Sequence, residues 1–405
     1  MKRAQRAVAV VGSVSAALSL TTVPLTTGAL AGVPARAGAD AADWRIVATV
    51  HYGPGGNASG YSAVVALAKD DAWVFGGTNP GGTSSPTAEI WNGKGWRPSP
   101  LPTDLTGFVT AADASSARNV WAVGDGYALR WNGTKWLVAK TWSQSGQLTS
   151  VAAVNRNDVW VFGASPFGGG ASLGSWHFNG RAWIRARGMA NSIYRASAVA
   201  RHDIWAITAG PRGGSVVRYN GHAWTRVRSA RSALANTQLD NVLAMSRTSV
   251  WVSGITPANG QRARLVLAQW NGTRWSKFVA PWDVQQPERF APDGTGGIWI
   301  PVVTGGLEPA TWILHLSHGG RWSRTKVAAS GATGVGIGDL ALIPGTTSLW
   351  GSGGLLTSTG GDATIWAHQG NRWIIPPGVE ARGVATIRTH SVPDHGPMRR
   401  AGPPD

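Results

Sequence analysis

Apolar residues along this chain come in short runs broken by Gly, Pro, Asn and Asp, and nowhere do they sustain the i, i+3, i+4, i+7 recurrence of an amphipathic helix. Seven runs centre on a tryptophan: Trp73, Trp121, Trp160, Trp205, Trp251, Trp299 and Trp350. The clearest read Ala72-Trp73-Val74-Phe75-Gly76, Val120-Trp121-Ala122-Val123-Gly124, Val159-Trp160-Val161-Phe162-Gly163 and Ile204-Trp205-Ala206-Ile207. They are spaced by 48, 39, 45, 46, 48 and 51 residues, the length of one propeller blade. Small apolar runs precede most of them, at Ala63–Ala68, Val109–Ala112, Val151–Val154, Ala196–Ala200, Val242–Met245 and Leu340–Ile343, as a crowded innermost strand requires. The pattern predicts an all-β, seven-bladed β-propeller of four-stranded antiparallel blades.

Each repeat ends on a second signature. It reads Trp91-Asn92-Gly93-Lys94-Gly95-Trp96, Trp131-Asn132-Gly133-Thr134-Lys135-Trp136, Phe178-Asn179-Gly180-Arg181-Ala182-Trp183, Tyr219-Asn220-Gly221-His222-Ala223-Trp224 and Trp270-Asn271-Gly272-Thr273-Arg274-Trp275. Degenerate copies end at Trp322 and Trp373. Asn-Gly between aromatic strands predicts a two-residue type I′ hairpin joining third and fourth strands, with Trp91 and Trp96 as a diagonal pair. Asp71, Asp158 and Asp203 precede second strands, where a turn needs a short acceptor side chain. Trp44 resembles an eighth closing tryptophan, and Val384–Ile387 an extra first strand. Closure by an N-terminal strand explains Trp44 and removes free sheet edges, but leaves Trp373 or the Val384 segment redundant; the pattern does not choose.

The first repeat, with Val74-Phe75-Gly76-Gly77, Ile90-Trp91, Trp96 and Pro100-Leu101-Pro102, resembles a kelch repeat. The others keep the strand glycine and aromatic pair and mostly lose the double glycine. The whole set, over roughly 44–390, is also similar to the Trp-rich propeller repeats of exported bacterial proteins. That resemblance speaks to blade structure and is nearly silent on activity. Kelch-like galactose oxidases use copper with a cysteine–tyrosine crosslink, and this chain has no cysteine. Disulfides, thiolate metal sites and a cysteine nucleophile are excluded by the same fact.

Lys2, Arg3 and Arg6, an uncharged stretch from Ala7 through Ala35, and small-x-small sites at Ala29-Leu30-Ala31 and Ala35-Arg36-Ala37 read as a cleaved export signal. The expected organisation is a signal over 1–37, cut between Ala31 and Ala37, a propeller over 38–390, and a disordered tail over 391–405. The formal charge is +17; cleavage after Ala37 removes Lys2, Arg3, Arg6 and Arg36 and no acid, leaving +13. Arginine supplies 30 of the 37 basic residues. Such a surface attracts polyanions, with arginine gripping carboxylate or phosphate through two hydrogen bonds, although arginine richness also serves solubility alone.

Catalytic signals are thin. Glutamate occurs only at Glu89, Glu288, Glu308 and Glu380; Asp240, Asp283, Glu288 and Asp339 are the candidates for a carboxylate pair on the top face, although nothing in their spacing demands one. Gly170-Ala171-Ser172-Leu173-Gly174 matches a nucleophile elbow but leads into a strand, where an elbow needs a helix. His315 and His318 point to opposite sides of an extended chain. No catalytic residue, metal or cofactor is assigned.

The long loops Gly76–Ala88, Gly163–Gly174, Gly254–Arg264 and Gly351–Ala363 join second to third strands and share a face with the inter-blade connections. That face carries Trp142 and Trp282, with basic clusters Arg185, Arg187 and Arg195; Arg226, Arg228 and Arg231; Arg262 and Arg264. Two accounts stand: these tryptophans pack between blades while the arginines solvate a rim, or they stack on sugars beside cations. The leading reading is a secreted, monomeric, non-enzymatic module for an extracellular glycan or polyanion. A glycan-active enzyme at the top of the channel and a protein-interaction scaffold are the alternatives. An enzyme requires acid, base and arginine converging at the channel mouth.

Overall fold

In a computed structural model, which describes residues 44–369 apart from 51–58, 80–83, 144–145, 164–171, 209, 211–213, 257–262, 305–309, 330 and 359, the repeats form a ring of seven antiparallel blades. The first six blades run inner, second, third and outer strand in chain order. Second strands such as Asn119–Gly124, Asp158–Gly163 and Asp203–Thr208 are buried throughout, because each lies mid-blade with a neighbouring blade on both sides. A strand covered on both faces takes a continuous apolar run in place of alternation. The small apolar runs are the inner strands, among them Gly60–Ala68, Val109–Ser116, Ser150–Asn155, Ile193–Ala200 and Gln238–Ser246. Helix among the described residues amounts to a 3-10 turn at Gly188–Ser192 and one turn at Ala230–Ala233, both in inter-blade connections.

Ring closure follows the N-terminal option. Trp44–Val50 pairs antiparallel with Gly360–His368, Trp44 opposite His368, and so becomes the outer strand of the seventh blade. Trp373, the Val384 segment, the export signal and the tail lie outside the described residues.

The three tryptophan positions meet in one recurring staple. The aromatic closing pairs of the first five blades pack on the second-strand tryptophan of the blade before. Trp131 and Trp136 lie 5.0 and 5.3 Å from Trp73. Phe178 and Trp183 lie 6.1 and 5.9 Å from Trp121, and Tyr219 and Trp224 lie 5.1 and 5.7 Å from Trp160. Trp91 and Trp96 reach Trp350, closing the ring between first and last blades. Edge-on and tilted rings at these distances add directional attraction to the apolar burial.

The hairpins differ from the type I′ expectation. Trp131 pairs directly with Trp136, and Trp91 with Trp96, instead of diagonally. Positive φ occurs at the glycine alone, +101° at Gly133 and +82° at Gly93, whereas type I′ needs it at both central residues. The cause is the asparagine side chain. Asn132 Oδ1 accepts from the backbone N–H groups of Thr134 and Lys135, at 2.9 and 3.0 Å, an arrangement repeated at Asn92, Asn179, Asn220 and Asn271. The residue acts as an Asx turn acceptor and leaves left-handed geometry to glycine.

Candidate functional site

Two places on the connection-bearing face concentrate chemistry. The first is the blade rim. Trp142 follows the outer strand Trp136–Thr141 of the second blade and meets Trp176, in the third strand Gly174–Phe178 of the next, edge-on at 5.8 Å. Lys140 Nζ stands 5.8 Å from both rings, and the exposed Arg185 guanidinium 5.9 Å from Trp176. The fifth and sixth blades repeat the construction. Trp282 ends the outer strand Trp275–Asp283, and the exposed Arg324 guanidinium lies 4.8 Å from its ring and 4.4 Å from Trp312 of the next blade. Trp142 and Trp282 are both half-buried, so each ring packs between blades and also carries a cation. The packing between blades is the first of the two sequence accounts; the second, stacking on sugars, belongs to the proposed function.

The basic residues divide. Arg185 joins Trp142 through Trp176. Arg187, Arg226, Arg228 and Arg231 are exposed on the outer strand or connections and stack on no ring among the described residues. Arg264 begins the third strand of the fifth blade, opposite Asp283 and beside Trp282. Arg262 lies outside the described residues. Arg195 does not belong with Arg185 and Arg187 on the rim; it is the third residue of the inner strand Ile193–Ala200, and its Nη1 donates to Thr149 O of the third blade. Lys140, Trp176, Trp312 and Arg324 escaped the sequence reading, although Trp176 and Trp312 occupy the same third position of their strands.

The second place is the channel. Inner strands start at the end fed by inter-blade connections, which puts Arg195 and Asp240, each third in its strand, near that mouth. In the sixth blade the inner strand is broken into Gln286–Pro287 and Ala291–Pro292, and the gap supplies Glu288 and Arg289. Arg289 crosses to the first two blades: Nη1 donates to Ser62 O at 3.0 Å, and Nη2 to Thr110 O at 2.6 Å. Its Nη1 also lies 3.5 Å from Asp339 Oδ2 of the seventh blade. Gln286 Nε2 donates to Glu288 Oε1 at 3.0 Å. Burial pushes the Glu288 carboxyl up to about 8, reinforced by the Asp240 charge and opposed by Arg289 and Arg195. Burial also raises Asp240, to about 6, against the pull of the same two arginines. Arg195 is lowered to about 10, by burial first and then by Arg289. Asp283, grouped with these acids by sequence, lies on the outer strand instead.

Other candidates resolve into structure. Ser172 Oγ donates to Gly163 O and accepts from Gly174 N–H, a loop tie with no base beside it among the described residues. Asp158 pairs with His177, which stacks 4.1 Å from Trp160; Asp293 pairs with His315, stacked 4.0 Å from Trp299; Asp203 pairs with Arg218, 5.0 Å from Trp205. These are one repeated stack inside the blades, a carboxylate, a histidine or arginine, and an indole. No cluster of metal-ligating side chains occurs among the described residues.

No family model and no curated protein matches the chain. Solved structures do. YCF48 bound to D1 peptide is 12% identical with a TM-score of 0.55, over 84% of this chain and 100% of that one. An ulvan lyase of a new polysaccharide lyase family is 11% identical at 0.48, over 81% and 93%. The SapL1 lectin in complex with alpha methyl fucoside is 12% identical at 0.38, over 64% and 92%. At 12% identity the likeness to the first of these extends to the fold alone, and the seven blades stand in this structure itself.

Proposed function

We propose that this is an exported, kelch-like, Trp-rich propeller that binds an acidic glycan or other extracellular polyanion along its connection-bearing face without transforming it. The observation that carries the reading is the duplicated rim cluster, Trp142–Trp176 with Lys140 and Arg185, and Trp282–Trp312 with Arg324. Indole faces take sugar rings, and cations held over them take the carboxylate or sulfate those sugars carry. The formal charge, +17 for the whole chain and +13 after cleavage following Ala37, favours the same ligands at longer range. The test is titration with polygalacturonate and with neutral dextran across a salt series. Polygalacturonate should bind, more weakly as salt rises, and Arg324→Ser with Lys140→Ser should reduce its affinity about tenfold, the size of two partly exposed charge contacts. Equal binding to dextran sinks the charge argument.

A second reading, a glycan-active enzyme, draws on Asp240, Glu288, Asp339, Arg195 and Arg289 converging in the channel, with Glu288 a neutral acid at pH 7. Reducing ends released from an acidic polysaccharide, and lost in Glu288→Gln, would favour it over binding alone.

A further inference from the structure

The channel mouth has hydrogen-bonding capacity that the fold leaves unspent. Arg289 is committed to two carbonyls and a carboxylate. Arg195 is not: a guanidinium has five N–H donors, and among the described residues only Nη1 is used, on Thr149 O. Asp240, recessed in the same wall, has no hydrogen bond or ion pair within 4 Å among the described residues, although its carboxylate offers about four acceptor positions. Both side chains are half-buried, so water reaches their open donors and acceptors, and a ligand that supplies both kinds of group on one wall can take the place of that water.

Charge narrows the ligand. The facing groups are Arg195 and Arg289 against Asp240, Asp339 and Glu288, with Asp113 lower in the channel tied to the N–H groups of Ala114 and Ala153. At the mouth the two guanidinium groups already face the carboxylates of Asp240 and Asp339, Arg289 Nη1 standing 3.5 Å from Asp339 Oδ2, and Glu288 is held by Gln286. A ligand carboxylate adds an anion without a counter-charge, and a ligand ammonium adds a cation beside two guanidinium groups. A neutral ligand disturbs nothing. Hydroxyl groups both donate and accept, so a pair on adjacent carbons can give to a carboxylate and receive from a guanidinium at once.

We propose that the mouth of the channel is a saccharide site, where adjacent hydroxyls of an uncharged sugar residue donate to the Asp240 carboxylate and accept from the Arg195 guanidinium. This site is separate from the rim clusters and requires no turnover, so it stands or falls apart from them.

The test uses the full chain and a panel of neutral methyl glycosides (of glucose, galactose, mannose, fucose and xylose), with glucuronate and glucosamine as charged counterparts. Calorimetry at high salt suppresses rim electrostatics. At least one neutral glycoside should bind more tightly than either charged sugar. Asp240→Asn, which keeps the shape and loses the charged acceptor, should weaken it at least tenfold. Arg195→Gln is the second variant, read the same way, with the unfolding midpoint of each recorded. Lys94→Ser, on the hairpin face, should leave binding unchanged. Absence of neutral-glycoside binding overturns the proposal, as does binding that survives in folded Asp240→Asn and Arg195→Gln, or a preference for glucuronate.

Discussion

The second and sixth blades are built from the same repeat and differ where it matters. The second has four uninterrupted strands, Val109–Ser116, Asn119–Gly124, Tyr127–Trp131 and Trp136–Thr141. The sixth has an inner strand of two fragments ending in Pro287 and Pro292, beside a second strand that contains Pro301. Proline gives no N–H to a ladder, and the inner strand leaves the ladder beside Pro301, with Glu288 N–H bonding to Pro301 O at 2.9 Å. The regular blade lines its stretch of channel with alanine and one carboxyl, Asp113, held by the N–H groups of Ala114 and Ala153. The irregular one delivers both a carboxyl, Glu288, and a guanidinium, Arg289, which reaches three other blades. Repetition reports the scaffold, and its failure in the sixth blade adds the side chain that ties the channel together.

The comparison breaks most visibly at the second-strand tryptophans. Trp121 is 1% exposed beneath Phe178 and Trp183, whereas Trp299 is half-buried between His315 and Trp44. Trp121→Ala should cost about 3–5 kcal/mol, the usual loss for a large buried aromatic. Trp299→Ala should cost clearly less, since its ring gives up less buried area. Chemical unfolding of both variants decides it, and equal losses would mean that the blades are staples of the same strength. Arg289 ranks next. Arg289→Met removes the counter-charge of the Asp339 carboxylate, which keeps the N–H groups of Val64 and Leu340, and leaves two carbonyls from different blades without their donor, for about 2–3 kcal/mol. Asp339→Asn should recover part of that loss if the stranded charge is its cause.

How much of this was legible follows from separation along the chain. Trp91 and Trp96 are five residues apart, so their pairing stood in the sequence, as did the seven second strands. The turn type was misread because an asparagine side chain replaced a backbone partner, and Asn-Gly spells both solutions. The channel cluster was legible only in part: Asp240, Glu288 and Asp339 stood among the candidate acids, but their two arginines and the convergence did not. Arg195, Asp240, Arg289 and Asp339 each sit on a different inner strand, and only ring closure turns them toward one axis. A signal did exist: no small apolar run precedes Trp299, and Pro287-Glu288-Arg289-Phe290-Ala291-Pro292 stands in its place. Arg195 was grouped by its nearness to Arg185 and Arg187, but an inter-blade connection separates them, and it faces the channel.

The two blades should also titrate apart. Burial holds Asp113 of the second blade at about 6, with the N–H groups of Ala153 and Ala114 opposing it, and Glu288 of the sixth at about 8. Each folded value lies above the ordinary one, so the folded protein holds these protons more tightly than the unfolded chain. The stability linked to Glu288 is complete below about pH 4.5 and is lost as pH rises toward 8; that linked to Asp113 is gone above about 6. From about pH 6.5 to 8 the wild type should weaken by up to ~1.4 kcal/mol per pH unit, and Glu288→Gln should flatten that slope. A slope unchanged in Glu288→Gln would show that Glu288 is already ionised.

The smallest effect belongs to the outer hairpins, where the blades solve one problem with different residues. In the second blade Asn132 Oδ1 accepts from Thr134 N–H, Lys135 N–H and Thr134 Oγ1. In the sixth Ser317 takes the position, and its Oγ accepts only from Arg321 N–H, at 3.1 Å, across a longer turn. Both loops are exposed, so water replaces a lost acceptor and the net cost stays near that of an ordinary hydrogen bond. Asn132→Ala should cost about 1 kcal/mol and Ser317→Ala about half that, read as shifts in urea midpoint at constant m-value. Asn132→Asp is the control that separates the acceptor from the residue. It keeps the oxygen and loses only the amide, which makes no hydrogen bond within the hairpin among the described residues, so it should unfold with the wild type. If it falls as far as Asn132→Ala, the Asx turn is not what holds the loop, and the glycine at +101° must carry the hairpin by backbone geometry alone.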